Sequence, residues 1–191
     1  MKPLQQADQI EVKTRSELRQ WLTANHQQSP GIWLITFKKG SAYYLPYPDI
    51  VKECLCFGWI DSLPRKLDQT RTMLYISPRK RGSSWSKLNK AHVEELEQAK
   101  LLHSSGIEKI TQAKADGSWS FLDDVEALIL PEDLKLAFAQ NSVAYNYWQA
   151  FPPSVKRGIL QWIKNAKKPT TRAKRIAETV GKAQNNLRAN Y

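Results

Sequence analysis

Residues 31–37, GIWLITF, carry β-branched and aromatic side chains throughout and no charge, so the run reads as a central strand. A central strand needs partners on both sides, and the sequence offers them. Residues 9–13, QIEVK, alternate Ile10 and Val12 as a short strand does. Residues 59–62 and 72–76 read as the arms of a hairpin turning at Asp68, Gln69 and Thr70. Pro64 cannot donate to a ladder, which pushes the first arm toward an edge or a bulge.

Helical patterns fill the spaces between these runs. Thr14 to Glu17 forms a capping-box start for a helix through Leu18, Trp21 and Leu22 to about Asn25. Residues 49–57 make a second helix, with Ile50, Val51, Cys54, Leu55 and Phe57 available for burial, and Gly58 ends it. Asn89 is expected to cap a third helix through Val93 and Leu96 to about His103. Ser105 and Gly106 are expected to break it before a helix at 107–115, which Asp116 and Gly117 close. Residues 119–130 fit a short helix or irregular chain equally. From Pro131 on, the pattern is helical throughout. One helix opens there, another spans 142–151, and Pro152-Pro153 starts a third with Val155, Ile159, Trp162 and Ile163 on one stripe. Thr170 and Thr171 are expected to cap the last, with Ala173, Ile176, Ala177 and Val180 along its buried face. This order predicts an α+β fold: a mixed strand and helix unit with a β-hairpin over residues 1–104, then an all-helical part over 105–191 packed on it as one compact body.

With 191 residues, 41% of them hydrophobic, and seven tryptophans, the chain can bury a core. It contains no apolar run long enough to span a membrane, and its first residues lack the apolar stretch of a signal peptide. Cys54 and Cys56 stand two apart in a helical pattern and point to different faces, so no disulfide is expected between them. These features predict a cytoplasmic protein. The formal charge of +11 is zoned: residues 93–151 hold four basic and ten acidic groups, and residues 152–191 hold ten and one. Such zoning is expected of internal charge complementarity and of a binding surface alike.

The chemistry concentrates in residues 54–89. They hold both cysteines, two tryptophans, two aspartates and seven basic residues. Arg79, Lys80 and Arg81, followed by Gly82, Ser83, Ser84 and Trp85, combine guanidinium groups for phosphate with hydroxyl and amide donors and an indole for stacking. A solvated basic loop with a buried tryptophan has the same sequence signature. Asp61 reads as a ligand-orienting or general-base carboxylate near Arg65 and Arg71, or as one member of an ion-paired hairpin. A second basic cluster, Lys164, Lys167, Lys168, Arg172, Lys174 and Arg175, fits a nucleic-acid backbone, an acidic lipid surface or the acidic segment of the same chain. No metal-ligand spacing, nucleophile elbow, phosphate loop or dinucleotide fingerprint occurs, and no cofactor is expected.

The strings CLCFGWIDS, SPRKRGSSWSKLN, AKADGSW and AKKPTTRAKRI resemble the YdeI/OmpD-associated, or bacteriocin-protection, family over about residues 21–180. That resemblance implies a small cytoplasmic bacterial protein linked to envelope proteins and to tolerance of antimicrobial peptides or bacteriocins, with an envelope-related protein as partner. The expected activity is non-catalytic binding of an anionic, phosphate-bearing ligand by Trp59, Asp61, Arg65, Arg79, Ser84, Trp85 and Asn89. Two alternatives stand beside it. One is an enzyme acting on a phosphorylated or acyl small molecule with Asp61 as base. The other is nucleic-acid binding by the C-terminal cluster.

Overall fold

The computed structural model describes residues 7–28 and 30–190, so the leader reading rests partly on residues outside the described ones. The chain forms two compact units, Met1–Ser120 and Phe121–Tyr191. In the first, β1 (Gln9–Glu11), β2 (Ile32–Phe37), β3 (Trp59–Lys66) and β4 (Arg71–Pro78) make a sheet ordered β1-β2-β4-β3. The uncharged run is thus an interior strand, parallel to β1 and antiparallel to β4, with Leu34 opposite Leu74. The expected hairpin pairs β3 with β4, and its register shifts between Asp61 and Pro64. Pro64 sits where an edge strand tolerates a missing N–H. At the turn, the Asp68 carboxylate accepts from the backbone N–H of Thr70 at 2.8 Å and of Arg71 at 2.7 Å, and from Arg71 Nε at 2.7 Å.

Helices α1 (Arg15–Asn25), α2 (Tyr47–Cys56), α3 (Lys87–Gln98) and α4 (Ser104–Asp116) contribute to the core on one face of the sheet. Leu18, Leu34, Leu55, Trp59, Ile76 and Trp85 lie in this core. Trp33, Ile35 and Met73 form a smaller cluster on the opposite face. Thr14 caps α1 as expected, its hydroxyl accepting from Glu17 N. The cap of α3 is Ser86 rather than Asn89, because the serine hydroxyl reaches the Asn89 N–H at 3.2 Å. Gly106 does not break a helix either. It lies in the first turn of α4, where a Cβ would come within 2.2 Å of the Cys56 carbonyl oxygen. The glycine there permits close packing of α4 on the end of α2. Glu53, 1% exposed on α2, accepts from Arg15 Nε at 2.6 Å and Arg19 Nη1 at 2.9 Å.

The second unit is helical: α5 (Asp123–Glu126), α6 (Glu132–Ala139), α7 (Ser142–Ala150), α8 (Pro153–Lys164) and α9 (Pro169–Ala183). Residues 119–130 thus contain a single helical turn. Leu134, Phe138, Trp148, Ile159, Ile163 and Ile176 fill this unit's core. The last helix begins at Pro169 with Lys168 as its cap, so Thr170 and Thr171 lie inside it. Its buried residues are Ile176, Thr179 and Ala183, while Ala173 and Ala177 are exposed. Thr179 tolerates burial because its hydroxyl donates to the Arg175 carbonyl at 2.7 Å. No helix among the described residues is long and apolar enough to cross a membrane.

Candidate functional site

Arg79 follows directly on β4, and its N–H donates to the Gly58 carbonyl at 2.9 Å, fixing the chain beside the start of β3. The side chain turns inward and is 3% exposed. Nη1 donates to the carbonyls of Ser84 at 3.0 Å and Ser83 at 3.3 Å. The guanidinium lies 3.7 Å from the ring centre of Trp85, itself 1% exposed. Three donors in this stack, Arg79 Nε, Arg79 Nη2 and Trp85 Nε1, are closed off from solvent and have no hydrogen-bond partner among the described residues. Burial pushes the Arg79 pKa down to about 10, and the nearby charge of Asp61 opposes the shift.

The surroundings are also donor-rich. A crevice of about 10 Å³ is lined by Arg79, Ser83, Lys109, Gln112 and Asp116, among others. Lys109 is half-buried and makes no ion pair among the described residues. Asp116 is already engaged: it accepts from Ser118 and from the Gly82 N–H, lies 3.8 Å from Arg81 Nε, and is held below the ordinary carboxylate range chiefly by Ser118. It fastens the 79–86 loop to the end of α4.

The other expected site residues divide between this stack and other places. Trp59 is fully buried, and its Nε1 donates to the His26 carbonyl at 3.0 Å. Asp61, half-buried, accepts from the Tyr47 hydroxyl at 2.6 Å. Ser84 takes part through its carbonyl, and the Asn89 N–H is occupied by the Ser86 cap. Arg65 lies on the other face of the sheet, 4.7 Å over Trp33. The indole of Trp85 is no stacking face for a base, because the core encloses it and Arg79 covers it. Asp61 and Arg79 line different cavities.

In the second unit the charge zoning resolves into pairs. Lys164 Nζ bonds Asp124 at 2.6 Å, Arg172 Nε bonds Asp133 at 2.6 Å, and Arg157 Nε lies 3.7 Å from Glu126. Arg175 donates to the Trp162 carbonyl and stacks 4.9 Å over that indole. Lys167, Lys168 and Lys174 are exposed. Half of the cluster is thereby committed within the unit.

Cys54 and Cys56 are free and buried, and burial pushes both thiols up. Among the described residues, no group of three His, Cys, Asp or Glu is set to hold a metal. Sequence reasoning overlooked one cluster altogether: His103 stacks on Phe57 at 5.0 Å and meets His26 at 4.6 Å, and His26 and Phe57 line a cleft of about 400 Å³. These rings come from separate helix ends, and no local spacing announces them.

Comparison with protein families gives two matches. The family described as "Domain of unknown function (DUF8412)" matches residues 10–109, and the family described as "Bacteriocin-protection, YdeI or OmpD-Associated" matches residues 127–186. The strings CLCFGWIDS and SPRKRGSSWSKLN fall within the first match and AKKPTTRAKRI within the second. Comparison with curated proteins and with solved structures returned no match. With just over half of its residues inside the first match, the chain belongs to the DUF8412 family, and its helical second unit carries the YdeI/OmpD-associated bacteriocin-protection domain.

Proposed function

We propose that the first unit is a non-catalytic binding module for a compact anionic ligand, a phosphate-bearing one first of all, held by Arg79 with Lys109 beside it. One observation carries this reading: three buried donors of the Arg79–Trp85 stack have no hydrogen-bond acceptor among the described residues. Guanidinium and indole N–H groups can only donate, so the missing partner is an acceptor, and beside a buried cation that makes no ion pair among the described residues an anionic acceptor gains most. The crevice admits no more than a water-sized group, so ligand entry requires the 79–86 loop to move outward. The family description of the second unit supports a cellular role in bacteriocin protection with an envelope-related partner; the proposed role extends to tolerance of antimicrobial peptides, with the cytoplasm as its place of action. The pairing of Lys164 and Arg172 with aspartates argues against the C-terminal cluster as a nucleic-acid surface.

Thermal unfolding in chloride buffer, with inorganic phosphate, sugar phosphates or nucleotides added at matched ionic strength, tests the proposal. A ligand at about a hundred times its Kd stabilises the fold by about 2.7 kcal/mol. The expected result is a raised melting temperature for the wild type and for Lys168→Ala, a smaller rise for Lys109→Ala, and none for Arg79→Met. Equal rises in the wild type and Arg79→Met, or no rise with any phosphate compound, would overturn it.

A further inference from the structure

Another cavity lies on the helix-covered side of the sheet, where the start of α2 meets strands β2, β4 and β3. It is a groove of about 300 Å³ whose lining includes Tyr44, Leu45, Tyr47, Ile50, Asp61 and Leu74. Leu45, Ile50 and Leu74 are buried, whereas Tyr44 and Tyr47 are 42% and 52% exposed. The Tyr47 hydroxyl donates to Asp61 Oδ2 at 2.6 Å, and burial together with this bond pushes the tyrosine pKa up to about 12. Asp61 Oδ1 accepts no hydrogen bond, and the carboxylate makes no ion pair, among the described residues. Lys38, the cation that lines the groove, is tied down elsewhere: its ammonium donates to the carbonyls of Asp68 at 2.6 Å and Gln69 at 3.2 Å.

We propose that this groove binds a small organic cation, an ammonium on a short apolar body, with Asp61 taking the charge, the rings of Tyr44 and Tyr47 beside it, and Leu45, Ile50 and Leu74 receiving the body. The groove shares no lining residue with the Arg79 crevice, although the Asp61 charge is felt at Arg79. Charge selects the occupant. An anion would meet the Asp61 carboxylate at close range. A neutral apolar molecule would strip water from that carboxylate without replacing it, which costs free energy. An ammonium replaces the water with an ion pair at a partly dry site and gains further from neighbouring aromatic faces. The Tyr47 hydroxyl steadies one carboxylate oxygen and leaves the other for the ligand. The volume lies at the lower end of small-ligand cavities, which suits a molecule the size of an aryl-ethylamine.

Titration of the full chain with phenethylamine and with 2-phenylethanol, followed by backbone amide shifts, tests this on the wild type without any substitution. The amine is expected to saturate shifts at Asp61, Thr72 and Leu74 below about 10 mM and to bind about tenfold or more tightly than the alcohol, a difference of about 1.4 kcal/mol. Asp61→Asn, which keeps an acceptor for Tyr47, is expected to remove most of that preference while leaving the melting temperature near that of the wild type. Equal binding of amine and alcohol, shifts confined to other residues, an unchanged preference in Asp61→Asn, or no saturation by the amine would each overturn it.

Discussion

Replacing Arg79 with methionine tests whether the buried guanidinium serves the fold or something beyond it. A pKa lowered from 12.5 to about 10 corresponds to about 3 kcal/mol against the charged side chain in the folded state. Opposing this are two hydrogen bonds from Nη1 and the contact with Trp85, together worth about 2–3 kcal/mol. Methionine keeps the unbranched stem and a favourable sulfur contact on the indole. The two freed carbonyls belong to half-buried serines that can turn toward water. The expected net change is therefore within about 1 kcal/mol of the wild type, in line with other buried charges replaced by apolar groups of similar size. The sign with pH is fixed as well. A cation whose folded pKa is depressed weakens the fold fully below that value and recovers only as pH rises through about 10, so a measurement near neutrality reads the whole penalty. Urea unfolding at neutral pH in chloride buffer, fitted with a common m-value, provides the assay. A loss of about 3 kcal/mol or more at unchanged m would refute the reasoning, because Arg79 would then be a net structural brace.

Gly106→Ala is expected to cost more than about 2 kcal/mol by thermal unfolding, since its Cβ would sit 2.2 Å from a backbone oxygen. Gly181→Ala in α9, where a Cβ meets nothing within 4 Å, is expected to stabilise by about 0.5–1 kcal/mol; a similar outcome for both glycines would contradict the packing argument. His103 has its pKa lowered first by burial, then by His26 and Arg19. Its contribution is thus full above the unfolded value of about 6.5 and is lost as pH falls below it. Urea midpoints measured from pH 7 to about 5 should decline less steeply in His103→Asn, which retains a capping side chain. Identical slopes would remove His103 as the cause.

Local pattern suffices for the elements whose side chains act close to home. The hairpin with its bulge near Pro64, the Thr14 cap and the close of α4 at Gly117, with φ 78°, depend on side chains acting on their own or nearby backbone, and the interior position of β2 follows from a run without charge that suits burial on both faces. The cap of α3 went to Ser86 rather than Asn89 because either residue could begin that helix, and the choice depended on which hydroxyl or amide met a free N–H. Along α9, two overlapping stripes share Ile176, and packing against α6, α7 and α8 buried the one carrying Thr179 and Ala183. The alanines that marked the other stripe bury too little surface to decide it.

By itself, then, the sequence determined the α+β order, the zoned charge and the density of cations and indoles around Arg79, since these follow from residue type and short-range geometry. Tertiary structure decided what that density means. A basic loop that reads as exposed turns one arginine inward onto Trp85, because the backbone bond to Gly58 and the carbonyls of Ser83 and Ser84 hold it there. Asp61, expected in the same pocket, turns instead to Tyr47 on α2. Burial and pairing depend on which segments meet in space, and sequence separation carries almost no information about that.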